Sequence, residues 1–308
     1  MLLTKKNVNK FAKYLNSDKG GKKIPYPIGT KLIAWFCNTS FAREIYFKSK
    51  VNLLKEFLSN IDDPPSVEEV TPGFLCTNFS KTWRAMSISY MNRKKLDKNI
   101  TFKGLEEFKT LHDEGKGVIL VNSHYGLAEA AMTLFPQLGY TDFHTIVREK
   151  GTTSQKFLGI NPKVNPNLII FKDHSNAELF RQLYKAKEVL TAGGIFHILG
   201  DGYHGKSSYS FDFLGRIRGF RASYAELGLS TGAYIMPLFI TVNMKGHVNF
   251  DLRSPLDRGS ESMSHPEKIT HIIQQYVDLL QDNWKKEPQN IYWGFMEKYL
   301  RQIQSSSE

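Results

Sequence analysis

The chain has 308 residues, enough for one large α/β domain or for a catalytic domain with a helical appendage. Its 41% hydrophobic and 23% charged residues are ordinary for a globular protein, but its net charge of +11 is not, and the first 23 residues contain seven lysines and one aspartate. Two cysteines exclude a disulfide framework and favour a reducing compartment, while the most apolar early segment, Leu32–Cys37, is six residues long and a membrane span needs roughly 20.

The basic amino-terminal segment suits an anionic lipid surface, an acidic carrier protein or nucleic acid, and a solvated terminus is the alternative. Nucleic acid is the weakest of these because no helix-turn-helix, zinc-finger or RNA-recognition pattern accompanies the charge. The segment also lacks the continuous apolar core of a signal peptide. We therefore expect a soluble or peripheral cytoplasmic protein that could lie on the inner face of the cell membrane and that does not bind nucleic acid.

The pattern of residues 1–100 predicts a helical and irregular amino-terminal region, which could contact a membrane or a carrier protein. Val8, Phe11 and Leu15 recur at helical spacing among lysines, which indicates a basic amphipathic helix. The later segments are a helical pattern over 32–58, a break at 62–65, a linker over 65–72, a mixed apolar pattern over 74–91 and a solvated basic loop over 92–98.

From Thr101 onward, helical patterns alternate with short apolar strands. The predicted strands are 117–122, 143–147, 168–171, 194–200, 234–240 and 248–252, and the predicted helices are 105–112, 128–138, 176–190, 222–230 and 267–284. Strands separated by helices favour a largely parallel central sheet flanked by helices on both faces. The predicted fold class is therefore α/β, with an α/β domain over 101–308 that follows the helical region.

The end of the strand at Val118–Val121 is the most informative site candidate. Asn122, Ser123 and His124 follow the strand directly, and Glu129 lies five residues further on, in the first turn of a predicted helix. Open α/β folds bind ligands at this edge of the sheet. A histidine whose tautomer is fixed by a carboxylate is a suitable general base for acyl transfer, and N–H groups at the helix start could receive an oxyanion. A chance His-x4-acid spacing is the alternative.

A second candidate lies at the end of the strand before Gly200. Asp201 stands between two glycines and could support His124, bind an acceptor hydroxyl, or cap the following turn. His197 and His204 could suggest a metal, but they belong to one local segment without partners at ligand spacing. We therefore predict no metal site.

Four arginines are candidates for binding an anionic substrate group. Arg148 follows the strand 143–147, where a guanidinium can bind phosphate or carboxylate, and a surface ion pair is the alternative. Arg216, Arg218 and Arg221 lie among aromatic residues and glycines before a helix. That segment could bind the phosphate of phosphopantetheine or coenzyme A, or it could be a solvated basic loop.

One further motif points to a different chemistry and fails on its context. Gly228–Gly232 matches the Gly-x-Ser-x-Gly nucleophile elbow, which must connect a strand to a following helix. Here a predicted helix precedes the motif and a strand follows it, so the order is reversed. The sequence therefore does not indicate an α/β-hydrolase serine.

Taken together, these segments resemble the bacterial lysophospholipid acyltransferase family, in the branch of the lipid A late acyltransferases and the mycobacterial phosphatidylinositol mannoside acyltransferases. The resemblance covers roughly residues 100 to 300. It rests on the segments 122–129 with His-x4-Glu, Val147-Arg148, Asp201, Phe213-Leu-Gly-Arg216 with Thr231-Gly-Ala…Pro237, and Glu287-Pro-Gln-Asn-Ile-Tyr-Trp293.

The resemblance implies transfer of a fatty acyl group from acyl carrier protein or coenzyme A to an acceptor hydroxyl, with no covalent acyl-enzyme, no metal and no permanently bound cofactor. His124 would accept the acceptor proton, and Glu129 would orient the imidazole and balance its charge. Arg148 would hold a phosphate or polar group, and Asp201 would support the site. Acyl carrier protein is the expected partner, with a lipid or membrane surface as a second one.

Two departures leave the acceptor open. Lipid A acyltransferases typically have an amino-terminal membrane helix and a basic carboxyl-terminal motif, and neither is recognisable in this sequence. A different glycolipid, or a soluble or carrier-bound metabolite, could replace lipid A as the acceptor. A thioesterase that uses water at the same site and a binding module without catalysis are the rival functions.

Overall fold

A computed structural model of the chain describes residues 4–148, 167–171, 176–202 and 208–301. The helices, numbered in chain order, are α1 Lys5–Leu15, α2 Asp18–Lys23, α3 Tyr26–Cys37, α4 Lys48–Leu58, α5 Val67–Ser89, α6 Arg93–Asn99, α7 Leu105–Asp113, α8 Ala131–Gln137, α9 Asn176–Thr191, α10 Ser223–Thr231, α11 His265–Lys286 and α12 Trp293–Arg301. The strands are β1 Ile100–Lys103, β2 Val118–Asn122, β3 Phe143–Arg148, β4 Asn167–Phe171, β5 Ile195–Leu199, β6 Ser208–Asp212, β7 Ile217–Arg221, β8 Tyr234–Val242 and β9 Val248–Leu252.

Seven of these strands form one sheet in the order β1-β9-β8-β2-β5-β3-β4. All neighbouring pairs are parallel except β8 and β9. The remaining strands, β6 and β7, form a separate antiparallel hairpin. The predicted α/β class, with a largely parallel sheet flanked by helices and a helical amino-terminal region, is therefore confirmed.

Strand β2 lies in the middle of this sheet, and all five of its residues are buried. Ile119 and Val121 belong to the apolar core on one face of the sheet, whereas Val118 and Leu120 belong to the core on the other face. The alternation follows from the two-residue period of a strand. The strand that precedes His124 is thus fixed from both sides.

The amino-terminal region differs from the prediction at several boundaries. The helical pattern over 32–58 corresponds to α3, a π-helical turn at Phe41–Tyr46 and α4. The predicted linker over 65–72 is wrong from Val67 onward, because Ser66 caps α5 by accepting a hydrogen bond from the Glu69 amide, and Pro72 lies inside that helix. No helix among the described residues is both long and apolar enough to cross a membrane.

The predicted basic loop over 92–98 is also wrong. Its residues form α6, and the Asn92 side chain caps this helix by accepting a hydrogen bond from the Lys95 amide at 3.1 Å. Strand β1 follows without a break and pairs with β9 through long-range contacts that the local pattern does not contain. The arginine-containing segment 211–221 forms most of the β6–β7 hairpin instead of a loop. The division of the chain at residue 100 remains a prediction.

Candidate active site

The pairing of β2 with β5 brings His124 and Asp201 together. Asn122, the last residue of β2, lies opposite Leu199, the last residue of β5. His124 and Asp201 each follow these partners by two residues, so they emerge side by side at the carboxyl-terminal edge of the sheet. This is the edge at which parallel α/β sheets bind their ligands.

Asp201 holds both the ring and the backbone of His124. The His124 ring and the carboxylate are joined through Nδ1 and Oδ1 at 2.9 Å, and the His124 amide donates to Oδ2 at 2.7 Å. Burial alone would raise the pKa of the Asp201 carboxyl, but His124 and the nearby Arg218 together lower that pKa below its usual range. An ionised carboxylate can only accept a hydrogen bond, so Nδ1 carries the proton, and in the neutral form of the imidazole Nε2 carries the lone pair.

Arg218 supports Asp201 from within the protein. Its Nη2 donates to the Asp201 carbonyl at 2.9 Å, and its guanidinium lies 5.1 to 5.7 Å from the ring centroids of Phe213, Phe220 and Trp284. The side chain is buried. Arg218 therefore contributes a positive charge beneath the aspartate, a position that differs from the phosphate contact predicted from the sequence.

The turn after His124 is fixed by backbone contacts that the sequence does not reveal. The Gly126 amide donates to the Asn290 carbonyl at 2.6 Å, and the Leu127 amide donates to the Ile240 carbonyl at 2.7 Å. Gly126 has φ +60°, and a Cβ at this position would lie 2.0 Å from the Ile240 carbonyl oxygen. Protein carbonyls therefore already accept the hydrogen bonds of the Gly126 and Leu127 amides, whereas the use of N–H groups at the helix start for an oxyanion stays a prediction.

Helix α12 contributes an aromatic support for the imidazole. The Phe295 ring is nearly parallel to the His124 ring, with 3.8 Å between the centroids and 15° between the planes. Stacking fixes the ring plane, and the hydrogen bond to Asp201 fixes its rotation within that plane. Together they leave the imidazole about one-third exposed, at 34% of its side-chain surface.

Glu129 has a different partner from the one predicted. It lies in a short 3₁₀ turn at Ala128–Ala130, where its Oε1 is 3.1 Å from Nζ of Lys81 on α5. Burial alone would raise the pKa of Glu129, but the ammonium of Lys81 holds that pKa below its usual range. His124 also contributes to this lowering, so Glu129 acts on the imidazole through its charge, whereas Asp201 makes the orienting hydrogen bond.

A cleft opens in front of these groups. It contains about 580 Å³ of empty space, including its open mouth. The charged and polar side chains that line it are Lys81, His124, Tyr125, Glu129, Thr145, His197 and Tyr292, and the apolar ones include Met132, Ile146, Val147, Ile198 and Leu199. Burial lowers the pKa of His197 to about 4, so this second imidazole is neutral and adds no charge to the cleft. An apolar wall beside a small polar cluster suits a substrate with a fatty chain and one reacting group.

The remaining predicted site residues lie in different surroundings. Asn122 and Ser123 are fully buried and do not line the cleft, and Asn122 Oδ1 accepts the Ser123 amide at 2.8 Å. Arg216 Nη1 donates to the carbonyls of Tyr299 and Leu300 at 3.1 Å, which fixes α12 to the hairpin.

Two predicted arginines remain open as substrate contacts. Arg221 is half-buried beside Gly202, whereas Arg148 ends β3 and its side chain lies outside the described residues. His204 also lies outside them. In the described ranges, no group of three or more His, Cys, Asp and Glu side chains is arranged to hold a metal ion.

The chain matches one protein-family model over most of its length. The family model for bacterial lipid A biosynthesis acyltransferases matches residues 75–296, which include Lys81, His124, Glu129, Asp201 and Phe295. The chain belongs to this family. The acyltransferase is thus an enzyme of lipid biosynthesis, and the resemblance seen in the sequence is confirmed. No curated protein matches the sequence.

Proposed function

We propose that the acyltransferase moves a fatty acyl group from an acyl thioester, on acyl carrier protein or coenzyme A, to a hydroxyl of a lipid or glycolipid. The observation that supports this most is the His124–Asp201 pair beside a partly apolar cleft. Because Nδ1 of His124 is bound to Asp201, Nε2 is the ring nitrogen that can accept a proton from a substrate in the cleft. A general base of this kind typically accelerates a reaction by about 10²- to 10⁴-fold.

In this mechanism His124 Nε2 accepts the proton of the acceptor hydroxyl while the hydroxyl oxygen attacks the thioester carbonyl carbon. The new C–O bond forms, the carbonyl oxygen bears negative charge, and the C–S bond then breaks. The imidazolium returns its proton to the departing thiolate. Asp201 remains ionised throughout and stabilises the positive charge that develops on the ring.

The outer surface of α3 supports a lipid surface as the partner of this reaction. Ile28, Leu32 and Trp35 lie on one face of the helix and are exposed, Trp35 by 60%. Exposed Lys31 lies in the same helix, and a hydrogen bond from Tyr46 to Asn9 connects the adjacent π-helical turn to lysine-rich α1. Apolar residues with a tryptophan and flanking lysines suit an anionic bilayer.

Binding to vesicles tests this surface. The double variant L32S/W35S should bind phosphatidylglycerol-containing vesicles at least about tenfold more weakly than the wild type, because it removes two of the exposed apolar contacts. The variant I217S is the control, since Ile217 is 71% exposed on the hairpin and belongs to a different surface. Equal binding by all three proteins would refute the proposed surface.

The reaction itself is tested by product analysis. The purified full chain is incubated with acyl carrier protein or coenzyme A thioesters, with and without a bacterial lipid extract, and the products are identified by mass spectrometry. We expect a lipid heavier by one acyl group, formed only when the extract is present. Release of free fatty acid at the same rate in both reactions would instead identify a thioesterase.

A further inference from the structure

Lys81 is a charged residue in a helix that is otherwise largely buried. Its ammonium has two visible partners in the described part of the chain, Glu129 Oε1 at 3.1 Å and the Tyr292 ring, whose centroid is 3.7 Å away. Both members of the ion pair are less than one-fifth exposed. Taking two such charges out of water is costly, and a buried pair often adds little to stability. The position therefore suggests a role in the reaction.

The charges around His124 come from different elements and form two pairs. Asp201 follows β5 and lies over Arg218 of β7, whereas Glu129 precedes α8 and lies beside Lys81 of α5. Each carboxylate thus has its own cation. With a neutral imidazole the four charges sum to zero.

Among the other described titratable groups near the cluster, three are neutral, Lys298 contacts the Phe295 ring, and half-buried Arg221 lies on the Asp201 side, beside Gly202. His197 is neutral because burial lowers its pKa to about 4. Tyr125 and Tyr276 are neutral phenols because burial raises the pKa of each. Lys298 Nζ lies 5.1 Å from the centroid of the Phe295 ring, and it is this ring that stacks on His124.

We propose that Lys81 is a positioning residue of the acyl-transfer site, which balances the charge of Glu129 and thereby sets the pH range in which His124 can accept a proton. This inference rests on the proposed role of His124 as the base. Loss of the ammonium would leave Glu129 as an uncompensated negative charge, which favours the protonated imidazole. Loss of the Glu129 carboxylate would leave Lys81 uncompensated and have the opposite effect.

The pH dependence of kcat/KM tests the proposal, because loss of the Lys81 ammonium and loss of the Glu129 carboxylate should shift it in opposite directions. In K81M, which keeps an unbranched side chain of similar length beside Tyr292 without the charge, the acidic limb of the kcat/KM profile should move to higher pH by about one unit. In E129Q it should move to lower pH by a similar amount. In K81M/E129Q the two shifts should cancel, and in K81R, which retains the charge, the limb should stay near that of the wild type.

Three results would overturn the proposal: an unmoved limb in K81M, shifts of the same sign in K81M and E129Q, or no restoration in the double variant. If K81M does not fold, E129Q and K81R still test it, because only E129Q should move the limb. H124A is measured in parallel. Full transfer by folded H124A would refute the general-base function, whereas an inactive H124A with an unmoved K81M limb would refute the role of Lys81 alone.

Discussion

The charges of two largely buried carboxylates act on His124, and the chain positions them by different means. Asp201 reaches the imidazole through the register of two neighbouring parallel strands, 77 residues away in sequence. Glu129 is five residues away, yet it accepts its hydrogen bond from Lys81 on an amino-terminal helix. Sheet topology thus decides which acid orients this histidine, even when a closer acid is available along the chain.

Neutralising each carboxylate separately tests which of the two orients His124. D201N should lower kcat/KM about 10³-fold, because an amide can donate to Nδ1 and so favours the wrong imidazole tautomer. E129Q should cost about tenfold or less near the pH optimum, since it removes a charge effect without removing the orienting hydrogen bond. Steady-state kinetics on folded proteins measure both, and a larger loss in E129Q would reverse the assignment.

The rigidity of the His124 turn can be tested through its glycine. G126A should lower the free energy of unfolding by about 3 kcal/mol, because the new Cβ would meet the Ile240 carbonyl oxygen. G115A provides a matched control: Gly115 has φ +74° but no neighbour within 4 Å of a Cβ, so only the backbone strain of about 1 kcal/mol should remain. Urea unfolding measures the difference, and equal losses would mean that the close approach is unimportant.

A smaller effect should follow from removing the aromatic support. F295A should lower kcat about tenfold because the ring plane of His124 is no longer fixed, although the hydrogen bond to Asp201 remains. F295Y keeps the stacked ring and should retain most of the activity. If both variants behave like the wild type, the stack does not help to position the base.

The dependence of stability on pH should also report on Asp201. Because the pKa of Asp201 is lowered in the folded protein, its carboxylate contributes stability above the unfolded value of about 4, and this contribution is lost as the pH falls through the folded value. The free energy of unfolding should therefore decline more steeply between about pH 5 and pH 3 in the wild type than in D201N. Parallel curves would show that Asp201 is not the responsible group.

Much of the fold could be predicted because its signals are local. Apolar runs of strand length, followed by small polar residues, identified β2 and β5 together with His124 and Asp201 at their ends. The alternation of strands and helices was sufficient for the fold class. The helix α6 and the hairpin β6–β7 were missed because lysines and arginines are common in solvated loops as well as in exposed helices and strands, so their presence does not separate the two.

The site residues that could not be predicted depend on contacts between distant segments of the chain. Lys81 lies 48 residues before Glu129, and nothing in its helix distinguishes it from a solvated lysine. Asn290 and Phe295 reach the His124 turn from the carboxyl-terminal end. The sequence motif ending at Trp293 was the one available signal for this contact, but a pattern cannot state which backbone groups it meets.

In the proposed mechanism His124 removes the acceptor proton while Asp201 orients the imidazole. The most direct test is the rate of ester formation by H124Q, a variant of similar size that cannot serve as the base, with circular dichroism and thermal unfolding as checks of folding. We predict at least about a 10³-fold loss of acyl transfer in a protein that unfolds at nearly the wild-type temperature. Transfer at the wild-type rate by folded H124Q would contradict the claim.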